Sequence, residues 1–152
     1  MGSIGKEENL EEVLAPLPDV YSVLTDLNLA HSWGQTSKGV MDFPQDTRMR
    51  IGQVVDLKPQ GMKEPCKVKI KTIHFNGFLE MDIIEGPLFG SLTVRVDERP
   101  YGTLLTSHLD YRIERIGFNI KWKMSEKKKY HAMMNEVLSN IKDFAEMKAR
   151  QV

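Results

Sequence analysis

The sequence predicts an α+β protein in which a curved antiparallel sheet of six or seven strands wraps around one long C-terminal helix. Between residues 37 and 115, six segments suited to strands follow one another, separated by turn residues such as Asn76-Gly77. From about Ser125 to Ala149 the apolar residues recur at helical spacing. Strands joined by consecutive hairpins favour antiparallel neighbours, and the amphipathic helix can cover the apolar face of the resulting sheet.

Two short helices are predicted before these strands. The segment ENLEEVLA, residues 8 to 15, suits either a helix or a short edge strand, and Pro16 and Pro18 end it. After Pro18 apolar residues recur at roughly helical spacing, and Asp26 lies between them in a position suited to a helix cap. We therefore expect two helices that meet near Asp26, with apolar positions Val20, Leu24, Leu27 and Trp33.

The six predicted strands are residues 37 to 43, 48 to 57, 66 to 75, 78 to 85, 90 to 98 and 102 to 115. Alternation within the second strand gives one face made of Met49, Ile51, Gln53, Val55 and Leu57. In the third strand, Thr72 and His74 fall on the inward face with Cys66, Val68 and Ile70. The opposite face carries Lys67, Lys69 and Lys71, which suits a solvated surface.

The last strand, GTLLTSHLDYRIER, has two distinct faces. One face is mostly apolar and is expected to be buried, yet it includes Ser107 and Tyr111; its members are Thr103, Leu105, Ser107, Leu109, Tyr111 and Ile113. The other face is mostly polar and is expected to be solvated; it comprises Leu104, Thr106, His108, Asp110 and Arg112. Polar groups on a buried face need partners, so this face looks either into a filled core or into a cavity that holds a ligand.

Composition limits the function classes. The 152 residues suit one domain, residues 1 to 152, with one substantial core. Lys+Arg and Asp+Glu number 21 each, so the net charge gives no indication of nucleic-acid binding. The sequence holds one cysteine and neither an apolar run long enough to span a membrane nor a signal peptide, and we predict a cytoplasmic protein. The histidines and Cys66 show no metal-ligand spacing, so no metal or other cofactor is predicted.

The C-terminal helix and the segment before it are rich in methionine and lysine. Met side chains adapt to irregular ligands and equally fill gaps in ordinary cores. If a cavity exists, we expect Met134, Val137, Leu138 and Ile141 to line it. The segment KWKMSEKKKY suits a solvated helix start; alternatively, it contacts an anionic membrane surface through Lys121, Trp122, Lys123, Lys127, Lys128 and Lys129.

The order of elements resembles the helix-grip fold of the START and polyketide cyclase/dehydrase superfamily, also called SRPBCC. The resemblance covers nearly the whole chain and is carried by LAPLPDVYSVLTDLNLAHSW, IEGPLFGSLTVRVDE, YGTLLTSHLDYRIE and YHAMMNEVLSNIKDFAEMKA. Within them, Ala15, Val20, Tyr21, Trp33 and Gly102-Thr103 sit in places comparable to those of family members. DFPQDTRM stands where the birch-pollen-allergen relatives have a Gly-rich loop, which argues against that branch.

The resemblance implies a deep apolar cavity between the sheet and the C-terminal helix, and hence binding or transport of a lipid, isoprenoid or polyketide-like molecule. Burial of the apolar ligand would supply the affinity, and the inward polar residues would orient it. The expected ligand-contacting residues are Trp33, Gln53, Val68, Ile70, Thr72, His74, Met81, Leu92, Val94, Ser107, Leu109, Tyr111, Met134, Val137, Leu138 and Ile141.

Two alternatives remain open from the sequence. The first is a cyclase- or dehydratase-type enzyme, in which His74 would act as acid or base with Tyr111 as proton donor. No Ser-His-Asp triad is expected, because Asp110 falls on the face opposite Ser107. The second is a protein-interaction module with a filled core and an exposed apolar patch around Ile73 and Phe75. We favour a binding protein over an enzyme, and the sequence predicts neither whether a reaction is catalysed nor the oligomeric state.

Overall fold

The structure, a computed structural model, describes residues 3–46 and 48–151. Met1, Gly2, Thr47 and Val152 belong to the domain predicted over residues 1 to 152 but lie outside the described residues. The elements in chain order are β1 (Ser3–Val13), α1 (Leu17–Thr25), α2 (Leu27–Trp33), β2 (Gln35–Thr36), β3 (Gly39–Asp42), β4 (Val54–Pro59), β5 (Cys66–His74), β6 (Phe78–Glu85), β7 (Phe89–Arg99), β8 (Gly102–Ile113), α3 (Ile116–Lys121), a π-helical turn (Trp122–Glu126) and α4 (Lys127–Arg150).

The described strands form one antiparallel sheet in the order β1-β8-β7-β6-β5-β4-β3-β2. The sheet curls around α4, which confirms the predicted fold class; the two-residue β2 raises the strand number to eight. Of the segment 8 to 15, residues 8–13 belong to β1, which pairs with β8 along its whole length and is a strand rather than a helix; Leu14 and Ala15 follow the strand. Asp26 caps α2 as expected, because its carboxylate accepts from the backbone N–H of Asn28 at 3.0 Å.

The core lies between the concave face of the sheet and α4. The helix buries the predicted stripe, except that Phe144 is only half-buried; the fully buried members are Tyr130, Met133, Met134, Val137, Leu138, Ile141 and Ala145. From the sheet, the inward face of β8 is buried throughout, as predicted. On its other face Thr106 is also buried, with 5% of its surface exposed, so that face is less solvated than expected.

Two expectations about strands are wrong. The segment 48 to 57 is a strand only from Val54, because Gly52 has a φ of +97° and turns the chain; Ile51 is therefore 68% exposed instead of inward. In β5 the pairing skips Lys71, since Ile70 pairs with Met81 and Thr72 with Glu80. This bulge reverses the alternation beyond Ile70, so Ile73 turns toward the core and His74 is exposed.

The C-terminal helical region begins earlier than predicted. It starts at Ile116 instead of about Ser125, and α3 continues through the π-helical turn into α4. Ser125 therefore lies inside a helical segment and is not its N-cap. Trp122 and Glu126, both in the π-helical turn, are buried; Glu126 precedes Tyr130 by four residues and Trp122 precedes it by eight. Within residues 3–46 and 48–151, no helix combines the length and the apolar character needed to cross a lipid bilayer.

Candidate functional site

Tyr111, a predicted ligand contact, has its hydroxyl fully engaged inside the protein. It pairs across the sheet with Gly5, and a Cβ at Gly5 would clash with the Tyr111 hydroxyl, so only glycine leaves room for the ring. The hydroxyl donates to Glu7 Oε2 at 2.8 Å and accepts from Trp122 Nε1 at 2.9 Å. Burial raises the pKa of Tyr111, and this effect is partly opposed by the Trp122 hydrogen bond, so the phenol is a neutral donor.

The same polar network ties β1 to α4. The second oxygen of Glu7 lies 2.7 Å from His131 Nε2, and the Glu7 side chain is only 10% exposed. Two residues along β1, Asn9 Nδ2 donates to Asn135 Oδ1 at 2.7 Å. Trp122, expected among the membrane-contacting residues, is 1% exposed, because it packs edge-on against the Tyr111 ring within this network. Trp122 is therefore unavailable for surface contact, which corrects that expectation.

Ser107 and Tyr130 carry buried hydroxyls that lack partners. Each residue is 1% exposed, and neither oxygen has a hydrogen-bond partner among the described residues. Burial strongly raises the pKa of Tyr130, and Ser107 partly lowers it, so the two hydroxyls are neighbours although they do not meet in hydrogen-bond geometry. A buried hydroxyl without a partner costs about 1–3 kcal/mol, which a ligand or ordered water can recover.

Glu126, a third buried polar residue, also has an oxygen without a hydrogen-bond partner among the described residues. Its side chain is 9% exposed, and Oε1 lies 3.4 Å from Lys129 Nζ. Its second oxygen, Oε2, is buried and has no partner among the described residues. Glu126 precedes Tyr130 by one helical turn, so the unpartnered side chains of these two residues lie next to each other on the same side of the helix.

Glu126 lines a half-open cleft of about 710 Å³ between the β4–β5 loop and the end of α3. The loop supplies Gly61, Met62, Lys63 and Glu64, and Pro87 adds to the wall; the remaining lining residues are Arg115, Gly117, Phe118, Lys121, Ser125 and Glu126. Two of the lining residues, Arg115 and Glu64, form an ion pair at 2.6 Å. The cleft thus combines three apolar side chains, Met62, Pro87 and Phe118, with five charged ones, of which Glu126 is buried.

A second, more open cleft of about 640 Å³ lies at the opposite turns of the sheet. It is formed by residues 14–18, Asn76 and the β7–β8 turn around Tyr101. The unpartnered buried polar atoms of the described residues belong to Asn9, Ser107, Asn119, Glu126 and Tyr130, and none of these residues lines it. The first cleft is therefore the better candidate site.

Most of the predicted ligand-contacting residues lie in the packed core, and the others lie at or near the surface. Those packed in the core are Trp33, Val68, Ile70, Met81, Leu92, Val94, Ser107, Leu109, Tyr111, Met134, Val137, Leu138 and Ile141. Thr72 is half-buried, and Gln53 instead holds a loop by accepting from Arg50 N at 2.7 Å and donating to Arg48 O at 3.0 Å. None of the predicted residues lines the 710 Å³ cleft, and whether any contacts a ligand stays a prediction.

His74 and Tyr111 are not brought together. His74 is exposed at the β5–β6 hairpin, where its ring stacks on Phe78 at 5.1 Å, while Tyr111 is enclosed between Glu7 and Trp122. The inward orientation expected for His74 is therefore wrong, because the bulge at Lys71 reverses the alternation of the strand before His74. Among the described residues, no group of three or more His, Cys, Asp or Glu side chains is arranged to hold a metal ion.

The cleft residues were missed by sequence reasoning, although one signal was present. Extending the apolar stripe of α4 toward the N-terminus at i, i+4 spacing leads from Tyr130 to Glu126 and Trp122. Glu126 is the single acidic residue in the lysine-rich segment KWKMSEKKKY. Its position on the otherwise apolar, inward side of the helix is the signal that could have identified it. Met62 and Phe118 gave no comparable signal, because a long loop and a short helix bring them together only in the folded chain.

Comparison with known proteins supports the fold. The sequence matches no protein-family model and no curated protein. A protein from Thermus thermophilus superposes with a TM-score of 0.70 at 13% identity, covering 97% of this chain and 99% of that chain. A protein from Rhizobium leguminosarum gives 0.69 at 13% identity, with 97% of each chain covered. The ginseng major latex-like protein 151 from Panax ginseng gives 0.66 at 16% identity, with coverage of 92% and 96%. At these identities the similarity establishes the fold alone.

Proposed function

We propose that the protein binds a largely apolar small molecule with one hydrogen-bond-donating end in the 710 Å³ cleft. The observation that carries this proposal is Glu126, which lines the cleft and whose Oε2 atom is enclosed without a partner among the described residues; a rotation of the side chain would present this oxygen to a ligand in the cleft. Lipids, isoprenoids and polyketide-like compounds bearing a hydroxyl or an ammonium group fit this description.

The walls of the cleft supply affinity by burial. Met62, Pro87 and Phe118 present apolar surface to a ligand, and each square ångström removed from water contributes about 25 cal/mol before the costs of binding. Glu126 supplies selectivity, because a carboxylate only accepts hydrogen bonds. A ligand that donates to Oε2 is therefore favoured over an isosteric hydrocarbon.

The proposal extends inward from the cleft. Tyr130 lies one helical turn beyond Glu126, and its hydroxyl neighbours that of Ser107. A longer ligand that displaces side chains along this row would satisfy two further buried hydroxyls and reach the predicted contacts Leu109 and Met134. This route would connect the cleft with the inward face of β8.

The experiment is native mass spectrometry of the purified protein, followed by organic extraction of whatever co-purifies and a thermal-shift panel of sterols, fatty alcohols, sphingoid amines and aromatic polyketides. Glu126→Gln and Phe118→Ala are the test variants, and Tyr101→Ala in the second cleft is the matched control. Glutamine keeps a neutral acceptor oxygen, so Glu126→Gln removes only the difference between a charge-assisted and a neutral hydrogen bond, about 1–1.5 kcal/mol, and is expected to weaken binding by about fivefold to tenfold.

Stabilisation of the wild type and the Tyr101→Ala control, with reduced stabilisation of both test variants, would support the proposal. The proposal is wrong if no compound co-purifies and none of the panel raises the melting temperature, since a ligand selective for the native state must stabilise it. It is equally wrong if both test variants bind as tightly as the wild type.

A further inference from the structure

Helix α3 and the turn after it present an apolar stripe to solvent. Ile116, Ile120 and Met124 follow one another at i, i+4 spacing and are 62%, 55% and 74% exposed. None of the residues of α3 is fully buried. An amphipathic helix normally turns its apolar stripe toward a core, so this stripe lacks a partner within the described residues.

Lysines accompany this stripe. Lys121, Lys123 and Lys128 are exposed, Lys127 is half-buried, and none of the four forms an ion pair among the residues that the structure describes. The single acid between residues 116 and 135 is Glu126, which is buried. The whole chain has a formal net charge of zero, so this segment is a local concentration of positive charge.

We propose that the α3 surface, defined as Ile116, Ile120, Met124, Lys121, Lys123, Lys127 and Lys128, docks onto an anionic lipid bilayer. Exposed apolar side chains accompanied by lysines are the composition of segments that lie in a membrane interface, where the apolar groups enter the lipid and the lysines meet anionic headgroups. The aromatic anchor expected from the sequence, Trp122, takes no part because it is buried against Tyr111.

Charge argues against a second copy of this chain as the occupant. In a two-fold symmetric dimer through this surface, each apolar stripe would meet its counterpart and the lysines of both copies would face one another. Such like-charge juxtaposition is unfavourable, whereas an anionic bilayer neutralises the same lysines. Phe118 and Lys121 also line the 710 Å³ cleft, so docking would hold the cleft mouth close to the lipid surface.

The test is co-sedimentation of the full chain with vesicles of phosphatidylcholine alone and of phosphatidylcholine mixed with phosphatidylserine, without added ligand. One variant carries Ile116→Ser, Ile120→Ser and Met124→Ser, and a second carries Lys121→Glu and Lys123→Glu. Matched controls alter equally exposed residues elsewhere: Ile4→Ser with Ile51→Ser, and Lys38→Glu with Lys69→Glu. Thermal melts establish that each variant is folded.

We expect binding to the anionic vesicles that weakens with salt, and a loss of about tenfold or more in each test variant but not in the controls. Absence of binding to either vesicle type would overturn the proposal, as would equal losses in test and control variants. Self-association of the wild type that the Ile116→Ser variant abolishes, without vesicle binding, would overturn it in favour of a dimer. Because no ligand is added, the result is independent of the proposed cleft function.

Discussion

Replacing Tyr111 by phenylalanine removes one oxygen that three elements share. Through this hydroxyl, Tyr111 on β8 is hydrogen-bonded to Glu7 on β1 and to Trp122 in the π-helical turn. The ring would remain in place over Gly5, because phenylalanine has the same shape without the hydroxyl. The variant therefore isolates the two hydrogen bonds from the packing of the aromatic ring.

The expected loss in the free energy of unfolding follows from those two hydrogen bonds. The bond to the Glu7 carboxylate is charge-assisted and contributes about 1.5–3 kcal/mol. Trp122 Nε1, in a residue that is 1% exposed, would be left without its acceptor at a further cost of about 1–3 kcal/mol. Glu7 keeps His131 as a partner, which limits the sum to about 2–4 kcal/mol. For a domain of this size such a loss lowers the melting temperature by about 5–15 °C.

The assay is urea unfolding followed by tryptophan fluorescence, with calorimetric melts of the same samples. Tyr101→Phe is the control, because Tyr101 is 39% exposed at the β7–β8 turn. We expect the control to stay within about 0.5 kcal/mol of the wild type. If Tyr111→Phe matches the control, the reasoning that the hydroxyl is structural would be refuted. A loss of ligand binding without a loss of stability would instead make Tyr111 a binding residue.

Two further predictions concern Cys66 and the glycines. Burial raises the pKa of Cys66 to about 11, so above pH ~9 the unfolded chain loses its thiol proton before the folded chain does. The free energy of unfolding is therefore expected to fall by about 2–3 kcal/mol as the pH rises from about 9 to about 11. If urea unfolding shows that the stability of Cys66→Ala falls as much as that of the wild type over this range, the prediction is contradicted. Gly90 has a φ of +139°, and a Cβ there would clash with the backbone oxygen of Asp110, so Gly90→Ala is expected to cost more than about 3 kcal/mol in urea unfolding. Gly117→Ala on α3, where a Cβ meets nothing within 4 Å, should be neutral or stabilising by up to about 1 kcal/mol, and equal effects at the two glycines would refute the argument.

Local patterns in the sequence were sufficient for the architecture. The alternation in residues 102 to 115 predicted which face of β8 is buried, and the stripe from Tyr130 to Ala145 predicted the inward face of α4. Asp26 was recognised as a helix cap from its position alone. These predictions succeeded because strand and helix periods are properties of short stretches of chain, which their own residues determine.

The site depended on departures from those periods. One extra residue at Lys71 turned His74 outward, and a π-helical turn joined α3 to α4, so that the buried helix face continues past Tyr130 to Glu126 and Trp122. Both are irregularities of pairing and winding that the flanking residues do not specify; they become favourable only when the sheet curls and the helix packs against it. The sequence by itself therefore determined the fold and most of the core. Which polar side chains face the cleft was decided by the tertiary structure, because one residue of offset in a strand, or one wider turn in a helix, changes the direction of every side chain that follows.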